Sequence, residues 1–305
     1  MFIASAPRSG STLLDRLIGA QDGFCSGGEL RFVWERSFGE NQLCGCGAPF
    51  HECRFWLSVS RCAFGVAPRL LEGAATVQLQ ASLEHRRCVP WLLAEHRPAA
   101  FAAKLSAFGE VLEHLYGAIL AVSEERVIVD SSKDPRYGLI LARTGRFQVH
   151  VVHLTRDPRA VAFSSRRLRR RPEIAWREEA MPIEGPWACA ARWSAHNALM
   201  GLLASRAASY CRVSYEQLVA NPGGVLSSVL ARHGSADVEL RDMAGVELAP
   251  AHTVSGNPMR FASGPLEIRL DDEWREAMRR RDRLSVAAAT WPLMARYGYR
   301  LRGVQ

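Results

Sequence analysis

Lysine is almost missing from this chain. Of its 39 basic residues only Lys104 and Lys133 are lysines, and every other one is arginine. Such a bias fits genome composition, and it singles out each lysine that remains. Long apolar runs are missing too. Stretches such as Ala118–Val122 are far too short to cross a bilayer, so no stable membrane insertion is expected. Internal repeats and low-complexity tracts are absent, which excludes a solenoid or a disordered chain. Eight cysteines in 305 residues are too few for a disulfide scaffold, and free thiols in a reducing compartment are expected. Met1 runs straight into Phe2-Ile3-Ala4-Ser5, without a basic or an apolar leader region, so the expectation is a soluble, cytoplasmic protein.

What is present is globular in character: 48% hydrophobic and 23% charged residues, in a chain long enough for a sizeable core. The formal charge of +8 suits an anionic ligand without identifying one. Short apolar runs alternate with amphipathic stretches. Phe2–Ser5 reads as a strand followed by a helix over 12–20. Residues 126–130 read as a second strand, with a helix over 135–143 that has Pro135 at its start. Residues 148–154 read as another strand, and Asp157-Pro158 opens a helix running to about Leu168. Tyr210–Val213 is a short strand before a helix near 215–219. Strands alternating with helices predict an α/β fold, a parallel sheet with helices on both faces, with its ligand at the carboxyl ends of the strands.

Two motifs lie at such ends. Pro7-Arg8-Ser9-Gly10-Ser11-Thr12 joins the first strand to its helix. Gly10 permits close backbone approach, successive amides and the helix N-terminus form an anion cradle, and Ser11 and Thr12 add hydroxyls. Against the Walker A pattern, Ser5 replaces the first glycine and Ser11 the lysine, while the cation is Arg8. The loop is therefore suited to holding a phosphate rather than to magnesium-assisted hydrolysis. In the second motif Arg156 ends a strand and Ser164 lies about two turns into the next helix, so guanidinium and hydroxyl can converge on one phosphate.

Together these motifs resemble those of the sulfotransferases that use 3′-phosphoadenosine 5′-phosphosulfate (PAPS). The first is similar to that family's 5′-phosphosulfate loop. Arg156 and Ser164, with Arg-x-Pro between the two motif positions, match its 3′-phosphate motif. The likeness extends from Ile3 to about Trp274, most of the chain, and is strongest to the branch of tyrosylprotein sulfotransferases and bacterial relatives. There Gly28-Glu29-Leu30-Arg31 and Lys133-Asp134-Pro135 have counterparts, and 252–260, ending in Arg260, resembles a segment that closes over the nucleotide. The resemblance implies one P-loop-like sulfotransferase domain over 1–305. It implies PAPS as co-substrate, with Pro7, Arg8, Ser9, Gly10, Ser11, Thr12, Arg156, Ser164 and Arg260 binding it. Arg8 and Lys133 would stabilise the leaving phosphate, and Glu29 would be the base. His153 and His252 are reserve bases. No metal is required. The acceptor would be a small molecule, glycan or lipid with a hydroxyl or amine. The competing readings are a P-loop kinase or nucleoside triphosphatase, and a non-catalytic nucleotide-binding module.

Three features remain outside this scheme. Cys44, Cys46 and Cys53, with His51, form the most metal-like grouping, but C-x-C-x6-C is not a standard zinc spacing. The basic run 166–171 reads as a solvated helix end or an electrostatic funnel, with nucleic acid disfavoured. Residues 172–186 read as a loop at the acceptor pocket, with Trp176, Trp187 and Trp193 expected in core packing.

Overall fold

Five short strands form the centre of the molecule, in a computed structural model that describes residues 1–71, 73–235 and 247–300. They are β1 (Phe2–Ser5), β2 (Phe24–Gly28), β3 (Val127–Lys133), β4 (His150–Thr155) and β5 (Ser209–Ser214), all parallel in the order β2-β3-β1-β4-β5. Twelve helices surround them: α1 (Ser11–Ile18), α2 (Arg54–Phe64), α3 (Ala74–Glu84), α4 (Val89–Leu93), α5 (Ala99–Ser123), α6 (Pro135–Arg143), α7 (Pro158–Ser165), α8 (Pro186–Ala204), α9 (Tyr215–Ala220), α10 (Pro222–His233), α11 (Trp274–Ala277) and α12 (Arg280–Arg296). The expected α/β architecture is the observed one.

Successive strand side chains point to opposite faces, and both faces are covered. Ile3, Val129, Val152 and Leu154 pack with Leu13, Leu14 and Leu17 of α1 and Leu226 of α10. Phe2, Ala4, Ile128 and Val151 pack with Phe108 and Leu112 of α5, Ile140 of α6 and Met200 of α8. Local chemistry sets the helix starts. The Asp134 carboxylate accepts from the Arg136 amide ahead of α6, and Asp157 accepts from the Arg159 amide ahead of α7, each followed by proline. Ser214 and Gln217 form a reciprocal capping box on α9.

The sequence reading did not name β2, α2–α5, α8 or α10–α12, and α1 covers Ser11–Ile18 rather than 12–20; other boundaries also differ. β3 continues to Lys133, because after a register shift Ala4 still pairs with Lys133. β4 starts at His150 rather than at residue 148. α7 stops at Ser165, and the following chain doubles back: the Arg171 amide donates to the Glu179 carbonyl and the Met181 amide to that of Arg169. α5 is, by length and composition, apolar enough to span a bilayer, with a mean hydropathy of 1.3 in its most apolar window. Scanning for unbroken apolar runs missed it because Lys104, Glu110 and Glu113 interrupt it. Phe101, Leu105, Phe108, Leu112, Leu115 and Ile119 bury one face of it in the core.

The chain leaves β1 for β2 on one side of the sheet and later reaches β4 on the other. The carboxyl ends of β1, β3 and β4 therefore flank a crevice at the point where strand order reverses. A late segment closes one side of it. Val254 bridges Gly28 at the end of β2, and the buried Arg16 of α1 donates to the carbonyls of Ala249, Arg260 and Ala262.

Candidate active site

The loop after β1 turns sharply because Arg8 (φ 68°) and Gly10 (φ 90°) both adopt left-handed backbone. A side chain at Gly10 would meet the Tyr215 ring at 2.5 Å, so glycine is required there for packing as well as for conformation. The loop is thereby pressed against the start of α9. Arg156, at the end of β4, lies over the same Tyr215 ring, 4.3 Å from its centroid. Its guanidinium donates to the Arg8 carbonyl (3.0 Å) and the Asp271 carbonyl (2.7 Å) and pairs with the Asp271 carboxylate at 3.1 Å. Two segments about 150 residues apart are so joined by one side chain, and the buried Nε of Arg156 has no hydrogen-bond partner among the described residues.

On the other side of the loop, Glu29 follows β2 and Lys133 ends β3. Lys133 Nζ donates to Glu29 Oε1, and both residues are largely buried. The Glu29 amide donates to the Val254 carbonyl at 2.7 Å, which fixes the base of its side chain. Lys133 also has left-handed backbone (φ 69°), as does Ser255 (φ 50°) in the late segment. Each such non-glycine residue costs of order 1–3 kcal/mol, and strain of this kind persists where packing over-determines it. Arg8, Lys133 and Ser255 thus concentrate strain around one place.

That place is a cavity of about 510 Å³ lined by Pro7, Arg8, Gly10, Ser11, Thr12, Glu29, Lys133, Arg156 and Ser164, among others. Nine cationic and six anionic side chains line it, so the net field is positive. Arg8 has no ion-pair partner among the described residues. Burial holds its pKa below the ordinary arginine value, helped by the nearby cations Arg169 and Arg192. A partly desolvated guanidinium with no direct ion pair among the described residues, at a turn that opens a helix, is suited to an anion.

A profile of the sulfotransferase family matches residues 1–238. The chain belongs to the sulfotransferase family. Among solved structures, the sulfotransferase domain from the Synechococcus PCC 7002 olefin synthase is 21% identical, with a TM-score of 0.54 over 98% of this chain and 94% of that one. The sulfotransferase domain from the curacin biosynthetic pathway is 19% identical, with a TM-score of 0.57 over 98% and 97%. At these identities the likeness concerns the fold. No curated protein matches the sequence.

In this member of the family most of the residues expected at the site do line one cavity; Ser9 and Arg260 do not. Ser9 is fully buried, its hydroxyl without a hydrogen-bond partner among the described residues. Arg260 is 1% exposed and points inward, donating to the carbonyls of Thr253 (2.6 Å) and Leu43 and lying over the Phe261 ring. Its neighbours Gly256, Asn257 and Met259 reach the cavity instead. The reserve histidines also lie elsewhere. His153 bonds to Asn197 Oδ1 (2.8 Å) and the Tyr210 hydroxyl (2.7 Å), and burial pushes its pKa down to about 4. His252 sits against Cys44 and Cys53.

The sequence reading missed His196 of α8, a histidine that lines the cavity, whose pKa burial lowers. It also missed Arg36, Arg192 and Tyr215. No local motif marks these positions. The basic run divides: Arg169 and Arg171 line the cavity, Arg166 pairs with Asp282, and Arg167 pairs with Glu273 and with the cavity-lining Asp271. Of the tryptophans, Trp193 is core and donates to the Arg156 carbonyl, while Trp176 and Trp187 are exposed.

Proposed function

We propose that this sulfotransferase moves a sulfuryl group from PAPS to an acceptor hydroxyl by in-line displacement and releases adenosine 3′,5′-bisphosphate. One observation carries the reading. The 7–12 loop and the Arg156/Ser164 pair open onto the same cavity, so groups suited to two phosphates face a single ligand. The loop amides, Ser11 and Thr12 would hold the 5′ end, and Arg156 with Ser164 the 3′-phosphate. Arg8 and Lys133 would take up the charge that develops on the leaving oxygen. Glu29 would accept the acceptor's proton as the oxygen attacks sulfur, and its contact with Lys133 keeps both groups at the reacting end. In the position where a nucleoside triphosphatase needs its lysine stands Ser11.

The acceptor would enter past residues 168–187. This stretch contributes Arg169, Arg171, Glu173 and Glu184 as well as Met181 and Pro182 to the cavity, and it leaves Leu168, Trp176, Ile183 and Trp187 exposed outside it. Apolar side chains exposed on the stretch that borders the cavity support a small molecule or lipid whose hydroxyl is carried on an apolar body, over a glycan. We take residues 1–305 as one catalytic domain, since cavity residues run from Pro7 to Asp271, and we take it to act in the cytoplasm.

Calorimetric titration tests the reading. Adenosine 3′,5′-bisphosphate is expected to bind at least about tenfold more tightly than AMP, the worth of one charged hydrogen-bond pair. Equal affinities would leave Arg156 and Ser164 without a ligand and would sink it. Magnesium-dependent ATP turnover would favour a kinase instead.

A further inference from the structure

Outside the cavity the fold brings together four metal-ligating side chains from two distant segments. The sulfurs of Cys44, Cys46 and Cys53 and a ring nitrogen of His252 all lie within 4.8 Å of one another. His51, the imidazole that sequence proximity offers, is engaged elsewhere, its Nε2 bonded to the Phe38 carbonyl at 2.9 Å. We propose that Cys44, Cys46, Cys53 and His252 bind one zinc ion as a structural site, clamping the late wall of the cavity onto the first third of the chain.

The spacings suit that ion. Tetrahedral zinc with Zn–S near 2.3 Å and Zn–N near 2.0–2.1 Å requires S···S edges of about 3.8 Å and S···N edges of about 3.6 Å. The Cys46 and Cys53 sulfurs are 3.7 Å apart, and His252 Nδ1 lies 3.3 Å from Cys53 Sγ and 3.8 Å from Cys44 Sγ. A disulfide would need the sulfurs at about 2.05 Å, and all eight cysteines are free. Three thiols with one imidazole form a soft donor set that selects zinc over magnesium or calcium.

The surroundings are built around the cluster. Phe55 stacks on the His252 ring (4.9 Å, 5° between planes), and Trp56 Nε1 donates to the His252 carbonyl at 3.0 Å, so the imidazole is held in orientation. The Cys44 amide donates to the Ala48 carbonyl, and the Gly47 amide to that of Cys44, which folds the first two thiols into one tight turn. Gly45 donates to the Thr253 carbonyl, and a side chain there would meet Thr253 Oγ1 at 2.3 Å. Zinc with three thiolates and a neutral imidazole carries a net charge of minus one. The inward-pointing Arg260 supplies the compensating cation, since it bonds to the carbonyls of Leu43 and Thr253, the residues next to Cys44 and His252. From His252 the chain continues through Val254, which bridges Gly28, and Ser255, whose hydroxyl accepts from Arg36 Nη1, to Gly256 opposite Glu29. Zinc binding at one end would thus hold the wall that faces Glu29.

The test needs no sulfuryl donor, so it stands or falls apart from the proposed reaction. Full-length protein purified without added metal is expected to contain about one zinc per chain by elemental analysis. Exchange with cobalt(II) should give the strong absorption of tetrahedral thiolate ligation. Cys46→Ser and His252→Ala should lower the metal content at least about tenfold, while His51→Ala and Cys88→Ser retain it. Should the cluster variants fail to fold, thiol alkylation of the wild-type protein decides. The three cluster cysteines should resist alkylation until a chelator is added. Metal-free folded protein, alkylation indifferent to chelator, a Cys46–Cys53 disulfide in native protein, or loss of metal in His51→Ala with retention in His252→Ala would each overturn the proposal.

Discussion

The Arg156 guanidinium donates to the carbonyl of Arg8, a residue 148 positions earlier, at 3.0 Å. The donor directly follows β4 and the acceptor lies in the loop after β1, so the bond spans adjacent strands at their carboxyl ends. It ties the side chain expected to bind one phosphate to the backbone expected to cradle another.

Arg156→Ala is therefore expected to weaken adenosine 3′,5′-bisphosphate binding by about 10–100-fold, the cost of removing a charged hydrogen-bond donor. AMP affinity should change by less than about threefold. Calorimetry on both nucleotides separates the cases. A uniform loss would mean that Arg156 acts only by holding the Arg8 loop.

Gly10→Ala places a methyl group 2.5 Å from the Tyr215 ring, in a backbone conformation at φ 90° that alanine rarely adopts. The ring must shift, and Arg156 rests on that ring. A destabilisation of about 1–3 kcal/mol is expected, together with weaker nucleotide binding. Chemical denaturation and calorimetry measure the two effects. Unchanged binding would show that the loop tolerates a displaced Tyr215.

Glu29→Gln should lower turnover about 10²–10⁴-fold, while nucleotide affinity changes by less than about tenfold, as removal of a general base requires. Lys133→Ala should lower turnover and also weaken donor binding. His196→Ala tests the histidine that lines the cavity and should cost less than about tenfold. If His196→Ala were the more damaging change, with Glu29→Gln mild, the base would be the histidine.

Asp15 in α1 is fully buried beneath the loop, and burial pushes its pKa up to about 7, partly opposed by hydrogen bonds with Ser26 and Ser131. The folded protein therefore keeps this proton where the unfolded chain has lost it. That contribution to stability falls as pH rises from about 4 to about 7. Asp15→Asn abolishes the titration. Its stability relative to the parent should increase across that window, by up to about 3–4 kcal/mol at pH 8 in the limit set by the shift. Denaturant melts at pH 5 and pH 8 test this. A difference independent of pH would show that Asp15 is ionised in the fold throughout.

What could be read along the chain was whatever local chemistry decides. Asp134-Pro135 and Asp157-Pro158 start helices because carboxylate and ring act on amides within two or three residues. Gly10 between an apolar run and a helix marks the left-handed turn after β1 for the same short-range reason. Those signals, with the spacing of Arg156 and Ser164, suffice for the parallel architecture and for part of the cavity wall. Tertiary structure alone decided where a side chain goes once it has long-range choices. Arg260 turns inward because the carbonyls of Leu43 and Thr253 await it there, and His252 rather than His51 meets the three thiols because Gly45 lets the late segment lie against the turn. Lys133 ends a strand rather than starting a helix because β1 keeps pairing with it. Each outcome depends on contacts between segments that only folding brings together, and no pattern confined to a few residues can encode such a contact.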